Sequence, residues 1–482
     1  RRRMPDHRYF TTTLPYVNAA PHLGFALELV QADTAARAAR LAGQAVFFNT
    51  GTDEHGLKIF RAAAEQGIEP ADYVAAATAK FQRLLPALHL LPDANFIRTS
   101  DPAHLAAAQE FWRRAARAGA IYKKEYQVKY CVGCELEKTE SELADGRCPL
   151  HSQQALETIA EENYFFRFSK YQKPLLDFYS HHPNFVVPPT RFNELRAFVE
   201  RGLTDFSISR LAEKQPWGVP VPDDPNHTIY VWFDALVNYL SAIGWPVDEK
   251  KFQTWWPVIQ FAGKDNLRQQ AAMWPAMLLS VGLPPPRQIV IHGFITSAGQ
   301  KMSKSRGNVV DPFALIDEYG ADAVRYYLLR HLQPFEDGDF TPEKFKAAYN
   351  ANLANGLGNL VSRVMKMATV CFRDPIEMTQ QTRRDARVTG YLEAFEFNRA
   401  LDSIWERIGH DDALIAIKKP FVGIKSDDSN VRDEALLIIK KLARELNAIA
   451  TDLESFMPAT AEKIKTLIQN NQPPATPLFP RK

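Results

Sequence analysis

The opening of the chain constrains the fold more than any other stretch. Tyr9 to Tyr16 is β-rich and apolar and gives way to the turn residues Pro15, Asn18 and Pro21. From Gly24 to Leu41 the apolar spacing is helical until Gly43 ends it, and Ala45 to Asn49 is a second short apolar strand. Strand, helix, strand in so short a span begins a parallel, doubly wound sheet. Such sheets bind ligands outside the carboxyl ends of their strands, with phosphates at a helix N-terminus. Pro21-His22-Leu23-Gly24 occupies that turn. Gly24 lets a nucleotide approach the backbone, and His22 can donate to a phosphate oxygen. A lone His-x-Gly is more often a solvated loop, and its weight comes from a distant partner. Lys301-Met302-Ser303-Lys304-Ser305 is a cationic, hydroxyl-bearing run that cannot pack into a core. It can swing over a polyphosphate and neutralise charge on a leaving group.

A chain of 482 residues is too long for one core. The fold class expected is α/β, with a doubly wound parallel sheet split by an insertion and followed by an all-α bundle. Residues 4–120 and 210–295 read as the two halves of the nucleotide-binding domain, 121–209 as the insertion and 296–345 as the lysine-loop region. Residues 346–470 read as helical and 471–482 as a loose tail. Tyr230-Val231-Trp232-Phe233, Val258 to Phe261 and Gln288 to Ile291 mark the return of strands after the insertion. With 58 basic and 56 acidic residues no global field steers a polyanion, so local patches must hold one. No apolar run approaches a membrane span. Arg1-Arg2-Arg3 leads into Pro5, Asp6, His7 and Arg8 rather than into an apolar signal segment. Four cysteines in so long a chain make no disulfide framework, and a cytoplasmic address is expected.

Three of those cysteines have metal-ligand spacing. Cys131-Val132-Gly133-Cys134 is followed by Cys148-Pro149-Leu150-His151, giving three thiolates and one imidazole. Four protein ligands leave no open position, so one structural Zn2+ is expected. Cys371 is left over for a helical core.

Read together, these segments resemble the class I aminoacyl-tRNA synthetases, and closely the methionyl-tRNA synthetase family. The carriers are Tyr16-Val17-Asn18 with Pro21-His22-Leu23-Gly24, Gly51-Thr52-Asp53-Glu54-His55-Gly56, the cysteine segment, Trp232-Phe233-Asp234-Ala235, Gly263-Lys264-Asp265, Trp274-Pro275 and Lys301 to Ser305. They run in family order over nearly the whole chain. The resemblance implies that an amino-acid carboxylate attacks the α-phosphorus of ATP, delivered with Mg2+, and that the aminoacyl group passes to tRNA(Met). His22, Gly24, Phe25, Lys264, Lys301, Ser303 and Lys304 then bind ATP, with His22, Asp265, Lys301 and Lys304 acting in the chemistry. Leu14, Tyr16, Trp232, Leu236, Tyr239, Asn266, Gln270 and Trp274 enclose L-methionine, while Asp53 pairs with its α-ammonium. The cysteine segment guides the acceptor end of the tRNA. Asn359, Arg363 and Phe421 fall at anticodon-reading positions, and no dimerising appendage follows, so a monomer is expected.

Five positions depart from the family pattern. Phe25 stands where the first motif ends in a second histidine, and it can donate nothing to a phosphate. Asn266 and Gln270 stand one helical turn apart where an aliphatic residue and a histidine are usual, and Gln260 is polar at a strand position. Two buried amides facing a thioether lose hydrogen bonds unless water or each other satisfies them. Phe421 takes the place of a tryptophan and can still stack on a base. These departures leave two rivals open: a degenerate paralogue that binds tRNA or nucleotide without activating an amino acid, and a class I ligase for another amino acid. Basic residues on the bundle, Arg399, Arg407, Lys418, Lys419, Lys440 and Lys441, suit phosphate contacts but equally suit solvated faces.

Overall fold

A computed structural model describes residues 7–138, 142–297, 299–302, 308–378 and 384–482. It divides into two compact units, one made of Arg1–Pro21, Gln44–Arg83 and Asp93–Ile291, the other of His22–Gly43, Leu84–Pro92 and His292–Lys482. The chain begins with β1 (His7–Thr11), α1 (Leu23–Leu41) and β2 (Ala45–Thr52), the predicted strand–helix–strand order.

In the first unit the chain adds β3 (Asn95–Arg98), α2 (Pro102–Arg117), β4 (Val186–Val187), α3 (Val231–Ala235), β5 (Ile259–Gly263) and β6 (Gln288–His292). The six strands lie in the order β3-β2-β1-β5-β6-β4. β1 pairs in parallel with β2 and with β5, β2 with β3, and β6 with β4. Every residue of β5 is buried, as expected of an interior strand. The strand order reverses between β1 and β5, so their carboxyl ends define the crevice where such sheets bind ligands. Thr11 registers against Gln260 there, and a bridge between Tyr16 and Asp53 prolongs the β1–β2 pairing. Aromatic side chains fill the core: Phe111 of α2 lies 5.8 Å from both Phe233 and Trp274. Truncating such a ring to alanine costs about 3–5 kcal/mol. The hairpin pattern of the insertion is a four-stranded antiparallel sheet of Ile121–Cys131, Leu136–Lys138, Glu157–Phe166 and Phe206–Ser207.

One strand expectation fails. Tyr230 to Phe233 is not a strand: the strand before it ends at Ile229 and α3 starts at Val231. Four consecutive apolar residues fit a buried strand and a buried helical turn equally, so periodicity could not separate them.

The second unit is mostly helical: α1, α4 (Ala321–Arg330), α5 (Asn359–Cys371), α6 (Phe397–Lys418), α7 (Pro420–Gly423), α8 (Ser429–Leu453) and α9 (Pro458–Gln469). Among the described residues no strand follows Gly338–Phe340. Leu360, Val361 and Val364 of α5 and Leu442, Leu446 and Ile449 of α8 are fully buried or nearly so. Arg325, in α4, is 0% exposed. Its Nε donates to the Phe456 carbonyl at 2.7 Å, Nη1 to Leu88 O at 3.2 Å, and Nη2 to Ser455 O at 3.1 Å and Thr34 Oγ1 at 3.5 Å. Nη1 also sits 2.8 Å from Asp33 Oδ2 in α1. Residues 471–482 are not a loose tail. Phe479 is 8% exposed against Tyr349, and Asn350 exchanges two hydrogen bonds with Lys482. Cys371 is half-buried at the end of α5 rather than central in a core.

Candidate active site, metal centre and nucleic-acid face

The residues expected to enclose an amino acid lie in the first unit, several of them beyond the carboxyl ends of β1 and β2. Backbone pairing holds Asp53 there: Asp53 N donates to Pro15 O at 3.0 Å, and Val17 N donates to Asp53 O at 3.4 Å. Asp53 is 5% exposed. Burial pushes its carboxyl well up, and the nearby Asp234 charge adds to that. A cation at Asp53 therefore stabilises the carboxylate. Leu236, Tyr239 and Trp274 are buried, with the Tyr239 and Trp274 rings 6.0 Å apart, while Leu14, Tyr16 and Trp232 are half-buried. Tyr16 Oη, Asp53 Oδ1, Trp232 Nε1, Gln260 Oε1 and Trp274 Nε1 are buried atoms without a partner among the described residues. A buried polar atom without a partner is costly, so this set marks a place built to meet a ligand.

The two glutamines pair, and the Gln270 amide is satisfied at both ends while Gln260 Oε1 is not. Gln260 Nε2 donates to Gln270 Oε1 at 3.3 Å, and Gln270 Nε2 donates to the Tyr239 hydroxyl at 2.9 Å. Both amides are at most 1% exposed. Asn266 does not join this chain: it is half-exposed and donates to Asp265 Oδ1 at 3.4 Å. Gln269 to Met273 forms a wider π-helical turn, so Asn266 and Gln270 do not follow the regular one-turn spacing expected from sequence.

The phosphate-handling residues occupy ends of elements. Lys264 and Asp265 lie on a single 3-10 turn directly after β5. In the second unit His22 is the N-cap of α1, and its Nδ1 accepts from Gly24 N at 3.0 Å. That bond puts the ring proton of a neutral imidazole on Nε2. A Cβ on Gly24 would fall 2.9 Å from the His22 ring, so glycine keeps the cap in place. Phe25 is only 8% exposed, its ring turned inward. Lys301 pairs with Thr296 in a two-residue strand, whereas Ser303 and Lys304 lie outside the described residues. Two contacts frame that run. Asp339 Oδ1 accepts from Gly299 N at 2.7 Å and from Thr296 Oγ1 at 2.9 Å, and Leu23 N donates to Val310 O at 3.1 Å. The chain entering and the chain leaving the lysine run are thus both tied down, the latter beside His22.

Cys131, Cys134, Cys148 and His151 converge, their donor atoms all within 4.8 Å of one another. His151 Nδ1 lies 3.7 Å from Cys131 Sγ, 3.2 Å from Cys134 Sγ and 4.0 Å from Cys148 Sγ. A tetrahedron with metal–ligand bonds of about 2.0–2.3 Å has edges of roughly 3.3–3.8 Å, so the cluster can hold a metal ion and its donors suit zinc. Burial pushes the Cys134 thiol up, a direction that a coordinated cation reverses. A Cβ at Gly133 would lie 2.5 Å from the His151 ring, which explains the glycine inside the first Cys pair.

Asn359 is exposed and Arg363 half-exposed at i, i+4 on α5, sharing one face. Sequence reasoning missed the partner of Arg363. Its Nη1 lies 3.0 Å from Asp412 Oδ1 of α6, which holds the guanidinium in place. Lys419, at φ +45°, ends α6, and Pro420 starts α7, leaving Phe421 44% exposed. Several bundle cations are already in ion pairs, Arg407 with Glu445 and Asp452, Arg399 with Glu396 and Lys418 with Glu434. Among the described residues no helix is long and apolar enough to cross a membrane.

The family of tRNA synthetases class I (M) matches residues 8–158 and 137–365. A methionine–tRNA ligase of Thermosynechococcus vestitus is 51% identical over 371 residues, 76% of this chain and 70% of that protein. One from Thermotoga maritima is 39% identical over 485 residues, 97% of this chain and 76% of that protein. The solved Mycobacterium tuberculosis methionyl-tRNA synthetase in complex with methionyl-adenylate is 37% identical. That likeness spans 99% of this chain and 100% of the solved one, with a TM-score of 0.91. With its parallel sheet, its cysteine–histidine cluster and its helical half in common order, the chain belongs to the methionyl-tRNA synthetase family of class I tRNA synthetases.

Proposed function

We propose that this chain joins L-methionine to tRNA(Met) with ATP, for the initiation and elongation of translation. A methionine carboxylate oxygen attacks the α-phosphorus, the bond to pyrophosphate breaks, and methionyl-adenylate forms. A hydroxyl at the acceptor end of the tRNA then takes the methionyl group and AMP leaves. The observation that carries this reading is Asp53, its buried oxygen unpartnered among the described residues and its backbone bridged to Tyr16, in the same unit as the buried Leu236, Tyr239 and Trp274. That combination suits a ligand with an ammonium at one end and a thioether at the other. Asp53 takes the ammonium. Leu14, Tyr16, Trp232, Leu236, Tyr239 and Trp274 enclose the side chain, each sulfur–aromatic contact adding about 0.3–1.5 kcal/mol. Gln270 is present as a donor to Tyr239, so its amide is satisfied before substrate arrives.

Such chemistry depends on positioning and on charge stabilisation rather than on an enzyme nucleophile. By the family resemblance His22, Gly24 and Lys264 bind the nucleotide, which enters with Mg2+ as a substrate, and Asp265 acts in the chemistry. Lys301, Ser303 and Lys304 neutralise the departing pyrophosphate. Phe25 withholds one donor, a loss of about 10²–10³ in rate where such a donor is preorganised. Cys131, Cys134, Cys148 and His151 hold one structural Zn2+, and a thiolate site of this kind fits a reducing, cytoplasmic setting. Asn359, Arg363 and Phe421 read the anticodon of a tRNA bound to a monomer. Residues 4–120 and 210–295 act as the catalytic domain and 121–209 as its insertion. Residues 296–345 serve as the lysine-loop region and 346–470 as the anticodon-binding domain.

Pyrophosphate exchange with each standard amino acid tests the reading. Exchange with methionine alone supports it. Exchange with another amino acid in preference assigns a different ligase, and none with any amino acid leaves an RNA-binding paralogue.

A further inference from the structure

A polar cluster lies buried next to Asp53, and its role depends on the reading of Asp53 as the ammonium partner. Asp234, in α3, is 0% exposed. Its Oδ2 is 2.8 Å from His55 Nδ1, and its Oδ1 is 3.0 Å from Nε2 of His104 in α2. His104 Nδ1 meets Ser241 Oγ at 3.0 Å. Both histidines are buried, His55 at 4% exposure and His104 at 0%. A carboxylate removed from water is expensive unless good hydrogen bonds replace its hydration. Here two imidazoles do so, one from the chain segment after β2 and one from a core helix.

His55 connects this cluster to the substrate site. Its ring is fixed on Asp234, while its backbone N–H donates to the Asp53 carboxylate. The residues around Asp53 are fixed as well. Glu54 accepts from Arg98 Nε at 2.8 Å and Nη2 at 2.9 Å, from Thr78 Oγ1 at 2.6 Å and from Thr52 Oγ1 at 2.8 Å. Trp217 Nε1 donates to the Glu54 carbonyl. The side chains of Thr52, Glu54 and His55 thus have protein partners, and within this stretch Asp53 Oδ1 is the buried oxygen left without one among the described residues. Three residues with separate partners hold still the one group that must meet a cation.

We propose that Asp234, clamped between His55 and His104, is a positioning residue for the α-ammonium of the amino acid: it fixes His55, and through the His55 backbone amide it aims Asp53. Burial by itself raises the Asp234 carboxyl, yet the two histidines bring it below the usual range.

The test compares two ligands on Asp234→Asn. One is L-methionine; the other is its α-hydroxy analogue, which keeps the carboxylate and the thioether but lacks the ammonium. Losing one charged, buried hydrogen-bond partner is expected to weaken methionine about tenfold or more. The inhibition constant of the hydroxy analogue and the KM for ATP stay within about twofold. Equal weakening of both ligands would mean general loss of packing, and no weakening would mean no positioning role; either overturns the inference. Should D234N not fold, His104→Gln, which keeps a donor facing Asp234, is read by the same pair of ligands and the same criteria. A wild-type chain that binds no methionine would overturn the functional reading and this inference with it. Normal wild-type binding alongside an unaffected D234N removes only the latter.

Discussion

In the proposed amino-acid pocket Tyr239, Gln270 and Trp274 are at most 1% exposed, whereas Phe421 on the proposed nucleic-acid face leaves 44% of its surface in solvent. Gln270 is locked between Gln260 and Tyr239. Arg363 pairs with Asp412 and keeps 34% of its side chain exposed. The difference reflects what each surface must recognise. A small zwitterion offers few contacts, so each must be prepaid in geometry and desolvated to count. A tRNA offers many contacts, so exposed groups with modest individual worth suffice, and they remain sensitive to salt.

The comparison predicts steep losses at buried positions and shallow ones at exposed positions. Asp53→Ala is expected to lower kcat/KM for methionine by about 10³ or more in pyrophosphate exchange, with KM for ATP little changed. The pH dependence follows from the raised Asp53 carboxyl. Below that pKa it is neutral and cannot hold an ammonium, so KM for methionine rises as pH falls, and D53A removes the dependence. Phe25→His, which restores a donor at the start of α1, is expected to raise the exchange rate about tenfold or more. It also lowers the melting temperature, because an imidazole then replaces a ring that is 8% exposed. No gain in rate would show that another group already supplies that donor. Gln270→Leu strands Gln260 Nε2 and removes the donor to Tyr239, at a cost of about 1–3 kcal/mol in stability by denaturant titration and about tenfold in methionine KM. Phe421→Ala should weaken tRNA about tenfold in charging assays without touching exchange. Asp412→Ala, which only loosens Arg363, is the mildest, at about threefold in tRNA KM. A large effect of D412A on exchange would break the contrast between the two surfaces.

Local signals were legible and long-range ones were not. Strand, helix and strand within β1, α1 and β2 follow from periodicity, and the Cys131–His151 cluster follows from spacing, because neighbours in sequence settle both. Tyr230 to Phe233 was misread because an apolar run has no period of its own. Asp412, 49 residues from Arg363, carries no sequence mark of its pairing. The same holds for His104 and Asp234, 130 residues apart, and for the docking of Phe479 against Tyr349. The polar reading of Gln260 and Gln270 posed the right question, and only the fold shows that the amides pair with each other.

Arg325 has a consequence for anyone altering this chain. All of its nitrogens are engaged, and their acceptors come from α1, from the segment at Leu88 and from the turn at Ser455 and Phe456. Lysine keeps the charge but offers three N–H bonds from a single point, too few and too concentrated to reach the same oxygens. The stitch therefore has no half-strength form: a swap that looks conservative on paper would release three separate stretches of backbone at once.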